Sequence, residues 1–114
     1  MNKEYRIKKN REIEALLKQN TRVANQHFAL YYLHKPEAEH FRFAISVSRK
    51  WGTAVARNKI KRQLREIVRK KSLTAKVDFF IVVKTALKGS DYKDIDRSLT
   101  NLFARAKIIE GQDI

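Results

Sequence analysis

The feature that most constrains the fold is an uninterrupted apolar run at residues 79–83, Phe-Phe-Ile-Val-Val, bounded by Asp78 and Lys84. Aromatic and β-branched residues favour extended backbone, and a short apolar run of this kind is typical of a strand. Since successive side chains of a strand point to opposite faces, this strand would be apolar on both. The run therefore predicts a central strand in a sheet that is covered on both sides.

Helical and two-residue periodicities place the other elements around this strand. In chain order the prediction is a helix over 8–18, strands over 26–33 and 41–48, a helix over 54–71 after Thr53 as N-cap, the strand over 78–84, and a helix that begins after Ser90 or Asp91. The pattern also allows a short extra strand near 46–50. The result is an α+β fold with helices packed on a small mixed sheet. With three glycines and one proline in 114 residues there are few breaks, so residues 1–114 are predicted to form one domain.

The predicted helix over 54–71 combines an apolar stripe with a cationic one. Of residues 49–71, ten are Lys or Arg, and Glu66 is the only acid. The apolar stripe consists of Ala56, Ile60, Leu64, Ile67 and Val68; the second stripe consists of Asn58, Arg62, Arg65 and Arg69, flanked by Arg57 and Lys61. Like charges four residues apart destabilise a helix unless an external anion relieves them. We therefore expect a helix held by the core that presents a rigid cationic surface to a polyanion.

The charge of the whole chain supports the same interpretation. There are 26 Lys and Arg against 12 Asp and Glu, a net charge of +14. Phosphate neutralisation releases counterions and gives strong, salt-sensitive affinity, so nucleic acid is the expected partner. A merely soluble surface and an anionic membrane are the alternatives. Guanidinium groups can grip phosphates or stack on bases. A DNA-reading helix would mix more polar residues for base edges, so RNA is favoured over DNA.

Other functional classes receive less support. The chain has no cysteine, which excludes disulfides and thiolate metal sites. Residues 1–5 contain no apolar run, and no stretch approaches the ~20 apolar residues of a membrane span, so a cytoplasmic location is expected. A self-sufficient nuclease would need clustered acids or histidines. The candidates are scattered along the chain: Glu12, Glu14, Asp78, Asp91, Asp94, Asp96, His27, His34 and His40.

The segment 46–66, Ser-Val-Ser-Arg-Lys-Trp-Gly-Thr-Ala-Val-Ala-Arg-Asn-Lys-Ile-Lys-Arg-Gln-Leu-Arg-Glu, closely resembles the signature of the bacterial ribonuclease P protein subunit. Further support comes from Arg-Ile-Lys-Lys-Asn at 6–10, Val-Ala-Asn at 23–25 and Phe-x-x-Tyr at 28–31. The resemblance implies an αββαβα two-layer sandwich on a mixed four-stranded sheet, with a left-handed strand-helix-strand crossover as in a ribosomal protein domain. Without the resemblance, a right-handed crossover would be expected, because parallel strands are almost always connected in that sense.

The resemblance also implies a function. In that family a catalytic RNA with bound Mg²⁺ removes the 5′ leader of precursor tRNA, and the protein holds the leader and assists metal binding by the RNA. The residues that match the surface for catalytic RNA are Arg49, Lys50, Arg57, Asn58, Lys59, Lys61, Arg62 and Arg65. Those that match the leader cleft are Lys9, Ile13, Leu17, Ala29 and Tyr31. Asn58 is a candidate for indirect metal contact, and no protein residue is expected to be catalytic.

The alternation of side chains along the first predicted strand, and the positions that differ from the family pattern, refine the predicted binding residues. Ala29 and Tyr31 are predicted on the face opposite Phe28, which makes Tyr31 the expected stacking platform for the leader. Ile13 and Leu17 stand where the family commonly has aromatic residues, so they can line a cleft but cannot stack. Thr53 and Gln26 replace a frequent Asn and Arg. Trp51 fills a variable position, where it is either a stacking surface or a packing residue. A ribosomal-type RNA-binding protein remains the alternative function.

Overall fold

A computed structural model describes residues 3–109. Within them, the α-helices are α1 (Asn10–Gln19), α2 (Ala54–Lys70) and α3 (Tyr92–Arg105), and the strands are β1 (Arg22–Ala24), β2 (Phe28–His34), β3 (Arg42–Val47) and β4 (Val77–Val83). Short 3₁₀ turns lie at Lys3–Tyr5, Arg49–Trp51 and Thr85–Leu87. Residues 1–2 and 110–114 of the predicted domain lie outside the described residues.

The four strands form one mixed sheet in the order β1-β2-β4-β3. β2 is antiparallel to both β1 and β4, whereas β3 and β4 are parallel. The apolar strand β4 therefore lies between two neighbours, as its composition predicts. The α+β class and the mixed four-stranded sheet are confirmed. The connection through α2 joins the parallel strands β3 and β4, and its predicted left-handed sense stays a prediction.

The main core lies between one face of the sheet and the helical layer formed by α2 and α3. Phe79 stacks on Phe43 with ring centroids 5.2 Å apart and meets Phe103 of α3 edge-on at 5.4 Å. Leu64 of α2 is fully buried in the same cluster. On the opposite face, α1 buries Leu16 against Phe80, covering part of the sheet. β4 is thus apolar on both faces because each meets a helix.

Two details of the prediction are corrected. The extra strand near 46–50 is wrong: β3 ends at Val47, and the chain turns through Arg49–Trp51, where the amide of Trp51 donates to the Ser48 carbonyl at 3.0 Å. Gly52, at a φ of 149°, completes the reversal into α2. The fourth strand is instead β1. Its three residues are too few to display a periodicity.

The capping residues behave as their chemistry predicts. Thr53 Oγ1 accepts from the amide of Ala56 at 3.2 Å, so the replacement of the family's Asn keeps an N-cap. Asp91, rather than Ser90, caps α3 by accepting from the amide of Asp94 at 2.9 Å.

Candidate RNA interface

The cationic surface is the part of α2 and the preceding turn that points away from the sheet. Ile60, Leu64, Ile67 and Val68 are buried, as the apolar stripe predicts. The predicted contact residues for catalytic RNA lie outside this stripe: Arg49, Lys50, Asn58, Lys59 and Arg62 are exposed, and Arg57, Lys61 and Arg65 are half-buried. The structure therefore brings all eight to one continuous turn and helix, anchored by the core.

The seven cations among these residues have no carboxylate partner in the described part of the chain. Within residues 3–109 none of them forms a salt bridge. The C-terminal end of α2 differs, because Arg69 contacts Glu66 at 2.6 Å and Lys71 contacts Asp96 at 3.1 Å. Arg69 belongs to the predicted cationic stripe, but its ion pair with Glu66 already neutralises its charge. The open cationic surface consequently ends near Arg65.

A second basic element lies beside this surface. The amide of Ile7 donates to the Phe43 carbonyl at 3.0 Å, which holds the N-terminal segment along the edge of β3. Partial burial, together with repulsion from Arg6, lowers the pKa of Arg65. Arg65 nevertheless stays protonated at neutral pH. Two like charges held close together gain stability from a shared anion.

The predicted leader cleft lies on the opposite face of the sheet, beside α1. The register pairs Tyr31 with Phe80, which places Tyr31 on the face away from the main core, as strand parity predicts. Ile13 and Tyr31 pack, half-buried, around the cluster of Ile7, Leu16 and Phe80. Leu17 is 39% exposed on α1. The structure thus brings Ile13 and Tyr31 together around one apolar cluster, whereas Leu17 lies exposed on the same helix as Ile13.

The remaining cleft residues differ in accessibility. Lys9 is exposed at the N-cap position of α1, where it adds positive charge to the mouth of the cleft. Ala29 lies on the cleft face but is buried, so it contributes shape rather than contact area. Arg22 of β1, which sequence reasoning missed, places its guanidinium carbon 5.9 Å from the centroid of the Tyr31 ring. Only the pairing of β1 with β2 reveals that neighbour.

Sequence reasoning also missed an ion-pair network that fixes α1 to the sheet. Arg42 donates to both carboxylate oxygens of Asp78, at 3.1 and 2.7 Å, and to Glu12 of α1 at 2.7 Å. Lys35 adds a contact to Asp78 at 2.9 Å. Burial raises the pKa of Asp78, but the hydrogen bonds from Arg42 and Lys35 outweigh it and hold that pKa below its usual range. The hydrogen bond from Arg42 also lowers the pKa of Glu12.

A cavity of about 700 Å³ is lined by polar side chains of the β1–β2 turn and α3. Asn25 Oδ1 accepts from the amides of His27 and Phe28, both at 2.9 Å, while its Nδ2 donates to Ser98 Oγ at 2.9 Å. His27 also contacts Ser98 Oγ at 2.9 Å. These groups hold the turn against α3, which gives the Val-Ala-Asn motif at 23–25 a structural role.

Residues 3–109 contain no group of three His, Asp or Glu side chains arranged to hold a metal ion. Asn58 stands among cations, which oppose a divalent ion at that position. A magnesium ion held by a cluster of such side chains therefore has no support within this part of the chain, and the indirect metal contact predicted for Asn58 stays a prediction.

Comparison with known proteins decides the family. The ribonuclease P family model matches residues 1–107. The chain belongs to the ribonuclease P protein family. Among its relatives are the ribonuclease P protein components of a Geobacillus strain, 36% identical over 108 residues and covering 93% of each chain, and of Levilactobacillus brevis, 38% identical over 113 residues and covering 97% of this chain and 96% of that protein. The resemblance seen in the sequence is confirmed, and with it a place among tRNA-processing proteins.

Solved structures agree with this family membership. A mutant RNase P protein from Staphylococcus aureus superposes with a TM-score of 0.87 at 40% identity, covering 94% of this chain and 92% of that one. The RNase P protein from Thermotoga maritima gives a TM-score of 0.79 at 28% identity, covering 93% and 98%. No helix within the described range 3–109 is long and apolar enough to cross a membrane.

Proposed function

We propose that this chain is the protein subunit of a ribonuclease P that acts in the cytoplasm, where it binds the catalytic RNA and the 5′ leader of precursor tRNA. The observation that carries the proposal is the set of seven cations, unpaired within residues 3–109, on a turn and helix anchored by the core. A row of guanidinium and ammonium groups without internal counterions suits an RNA backbone, because each neutralised phosphate releases condensed counterions.

The two surfaces suggest two separate RNA-binding roles. The cationic surface of α2 would hold the catalytic RNA, and the cleft beside α1 on the other face of the sheet would hold the single-stranded leader. The basic N-terminal segment pairs with the edge of β3 at Arg6 and Ile7, and Arg6 lies close to Arg65. A protein that touches both RNAs would orient the precursor against the ribozyme without itself reacting.

Chemistry by protein side chains is not part of the proposal. Four of the acids that a nuclease would need are committed to other contacts: Asp78 and Glu12 to Arg42, Asp91 to the N-terminus of α3, and Asp96 to Lys71. We propose instead that Mg²⁺ is bound mainly by the RNA and supplies the hydrolytic chemistry there. Asn58 would face the RNA as a hydrogen-bonding group among phosphate contacts.

Reconstitution tests the proposal and separates it from its rivals. Protein with precursor tRNA and Mg²⁺ should give no cleavage, whereas added catalytic RNA should give leader removal at lower Mg²⁺ than the RNA needs alone. The protein should also strengthen the preference for precursor over mature tRNA. Specific cleavage by the protein alone would indicate a nuclease, and an unchanged ribozyme would indicate a general RNA-binding protein.

The substitution Arg62→Ala is expected to weaken binding to the catalytic RNA. Arg62 is exposed in the middle of the cationic surface, so its loss should remove one phosphate contact and reduce the slope of log affinity against log salt by about one. Filter binding over a salt series measures this. Lys93→Ala, which removes an exposed cation from α3, is the matched control and should leave the slope unchanged. Equal slopes for the wild type and Arg62→Ala would contradict the assigned contact.

A further inference from the structure

A small cavity of about 230 Å³ lies beside Trp51, where the turn before α2 approaches the N-terminal end of α3. Its floor is apolar and includes the buried side chains of Ile60 and Leu87. Its rim carries Trp51, which is half-buried, together with Lys59 and Gln63 of α2. The cavity thus combines an aromatic wall, an apolar floor and an amide able both to donate and to accept.

Two lysines place positive charge at this cavity: Lys59 lines it, and Lys88 lies over the ring of Trp51. The Lys88 ammonium lies 5.9 Å from the centroid of the Trp51 ring and donates to the Lys50 carbonyl at 3.2 Å. Lys59, which lines the cavity, has no salt-bridge partner within residues 3–109. An anionic group next to a ring stacked on Trp51 would therefore meet a cation.

The size of the cavity and the chemistry of its lining favour one kind of ligand. Sites for drug-sized ligands start at roughly 300 Å³, so this smaller cavity suits a single planar ring system. Bases of unpaired RNA are recognised by stacking on aromatic side chains and by hydrogen bonds to their edges, with the adjoining phosphate bound by cations. Trp51, Gln63 and the two lysines supply these three contacts, and the site adjoins the cationic surface of α2.

We propose that the Trp51 cavity binds one unstacked nucleobase of the catalytic RNA. The base stacks on Trp51, the Gln63 amide bonds its edge, and Lys59 and Lys88 flank its phosphate. This inference rests on the proposed RNA-binding function. It also assigns to Trp51 one of the two roles that the sequence leaves open, that of a stacking surface rather than a packing residue.

Trp51 is the single tryptophan of the chain, so the fluorescence of the wild-type protein reports directly on this cavity. Titration with catalytic RNA should quench Trp51 fluorescence in step with binding measured independently on a filter. Trp51→Leu, which keeps an apolar side chain but cannot stack, should weaken binding roughly tenfold, the effect of losing one base stack. Trp51→Phe should bind nearly as the wild type does. Val55→Ala, an exposed change on the same helix outside the cavity, is the matched control and should bind normally.

The outcomes separate this inference from the proposed function. Wild-type protein that binds the RNA with unchanged fluorescence, or Trp51→Leu that binds as tightly as the wild type, would overturn the nucleobase site alone. Wild-type protein that fails to bind the RNA would overturn the proposed function and this site with it. Thermal melting checks that Trp51→Leu folds. If it does not, Gln63→Leu replaces it: weaker binding and weaker quenching support the site, and unchanged values refute it.

Discussion

Replacing Asp78 by Asn should lower the free energy of unfolding by roughly 3 kcal/mol at neutral pH, near the low end for a broken buried ion pair. Asp78 is 3% exposed and accepts hydrogen bonds from Arg42 while contacting Lys35. The substitution leaves both cations beside a neutral amide. Because Arg42 and Lys35 keep about a third of their side chains in solvent, the larger penalties of a fully buried unpaired charge are not expected. Urea unfolding of the two proteins measures the difference.

The same comparison has a defined pH dependence. The pKa of Asp78 is lowered in the folded protein, so its carboxylate contributes stability that is complete above its unfolded pKa, about 3.9. That contribution is lost as the pH falls through the lowered folded pKa. The stability difference between wild type and Asp78→Asn should therefore be constant near neutral pH and shrink below about pH 4.

A matched control lies on α2. Glu66→Gln breaks the exposed pair with Arg69, and exposed helix pairs contribute about 0.3–0.5 kcal/mol, so its effect should be several times smaller. Similar losses for the two substitutions would show that the Asp78 network does not hold α1 in place. The network also bears on the proposed leader cleft, because Arg42 reaches Glu12 on α1, the helix that would form one wall of that cleft.

The sequence predicts best those elements whose local pattern agrees with their tertiary surroundings. The run at 79–83 is apolar on both faces and becomes the strand β4 between two neighbours. The stripe around Leu64 predicts both the span of α2 and the face that it buries. The cationic surface follows at once, since residues opposite a buried stripe must face outward.

What the sequence cannot predict depends on contacts between distant segments. β1 has three residues, and its identity as a strand comes from pairing with β2 rather than from any periodicity. Asp78 looks like the polar boundary of an apolar run, yet it is buried because Arg42 stands opposite it in β3, 36 residues away. The turn at Arg49–Trp51 is likewise set by the way the chain enters α2. The alternation of side chains along β3 carries no information about that turn.

The cleft was predictable only in part. The alternation of side chains along β2 places Tyr31 on the face away from the main core, where the structure also has it, and the family resemblance pairs it with Ile13 and Leu17 of α1. The neighbour Arg22 and the low accessibility of Ala29 depend on the registration of β1 against β2. The short strand β1 therefore determines which side chains lie next to Tyr31.

Replacing Tyr31 by Ala should lower the affinity for precursor tRNA about 5- to 150-fold, equivalent to the roughly 1–3 kcal/mol of one base stacked on an aromatic ring. The ring is half-buried beside α1, and the guanidinium of Arg22 adds a cation next to it. Assembly with the catalytic RNA should be unaffected, because the cationic surface lies on the other face of the sheet. Binding of precursor and mature tRNA to the reconstituted enzyme measures both expectations.

Two further variants separate stacking from packing at this position. Tyr31 also packs on the cluster of Leu16 and Phe80, so Tyr31→Ala loses core contacts as well as the ring. Tyr31→Leu retains an apolar side chain without a stacking face and should show most of the binding defect, whereas Tyr31→Phe should bind nearly as well as the wild type. Because mature tRNA has no leader, its affinity should not change in any of the three. Equal weakening for precursor and mature tRNA would mean that Tyr31 supports the fold of the protein rather than the leader, and the cleft assignment would then be wrong.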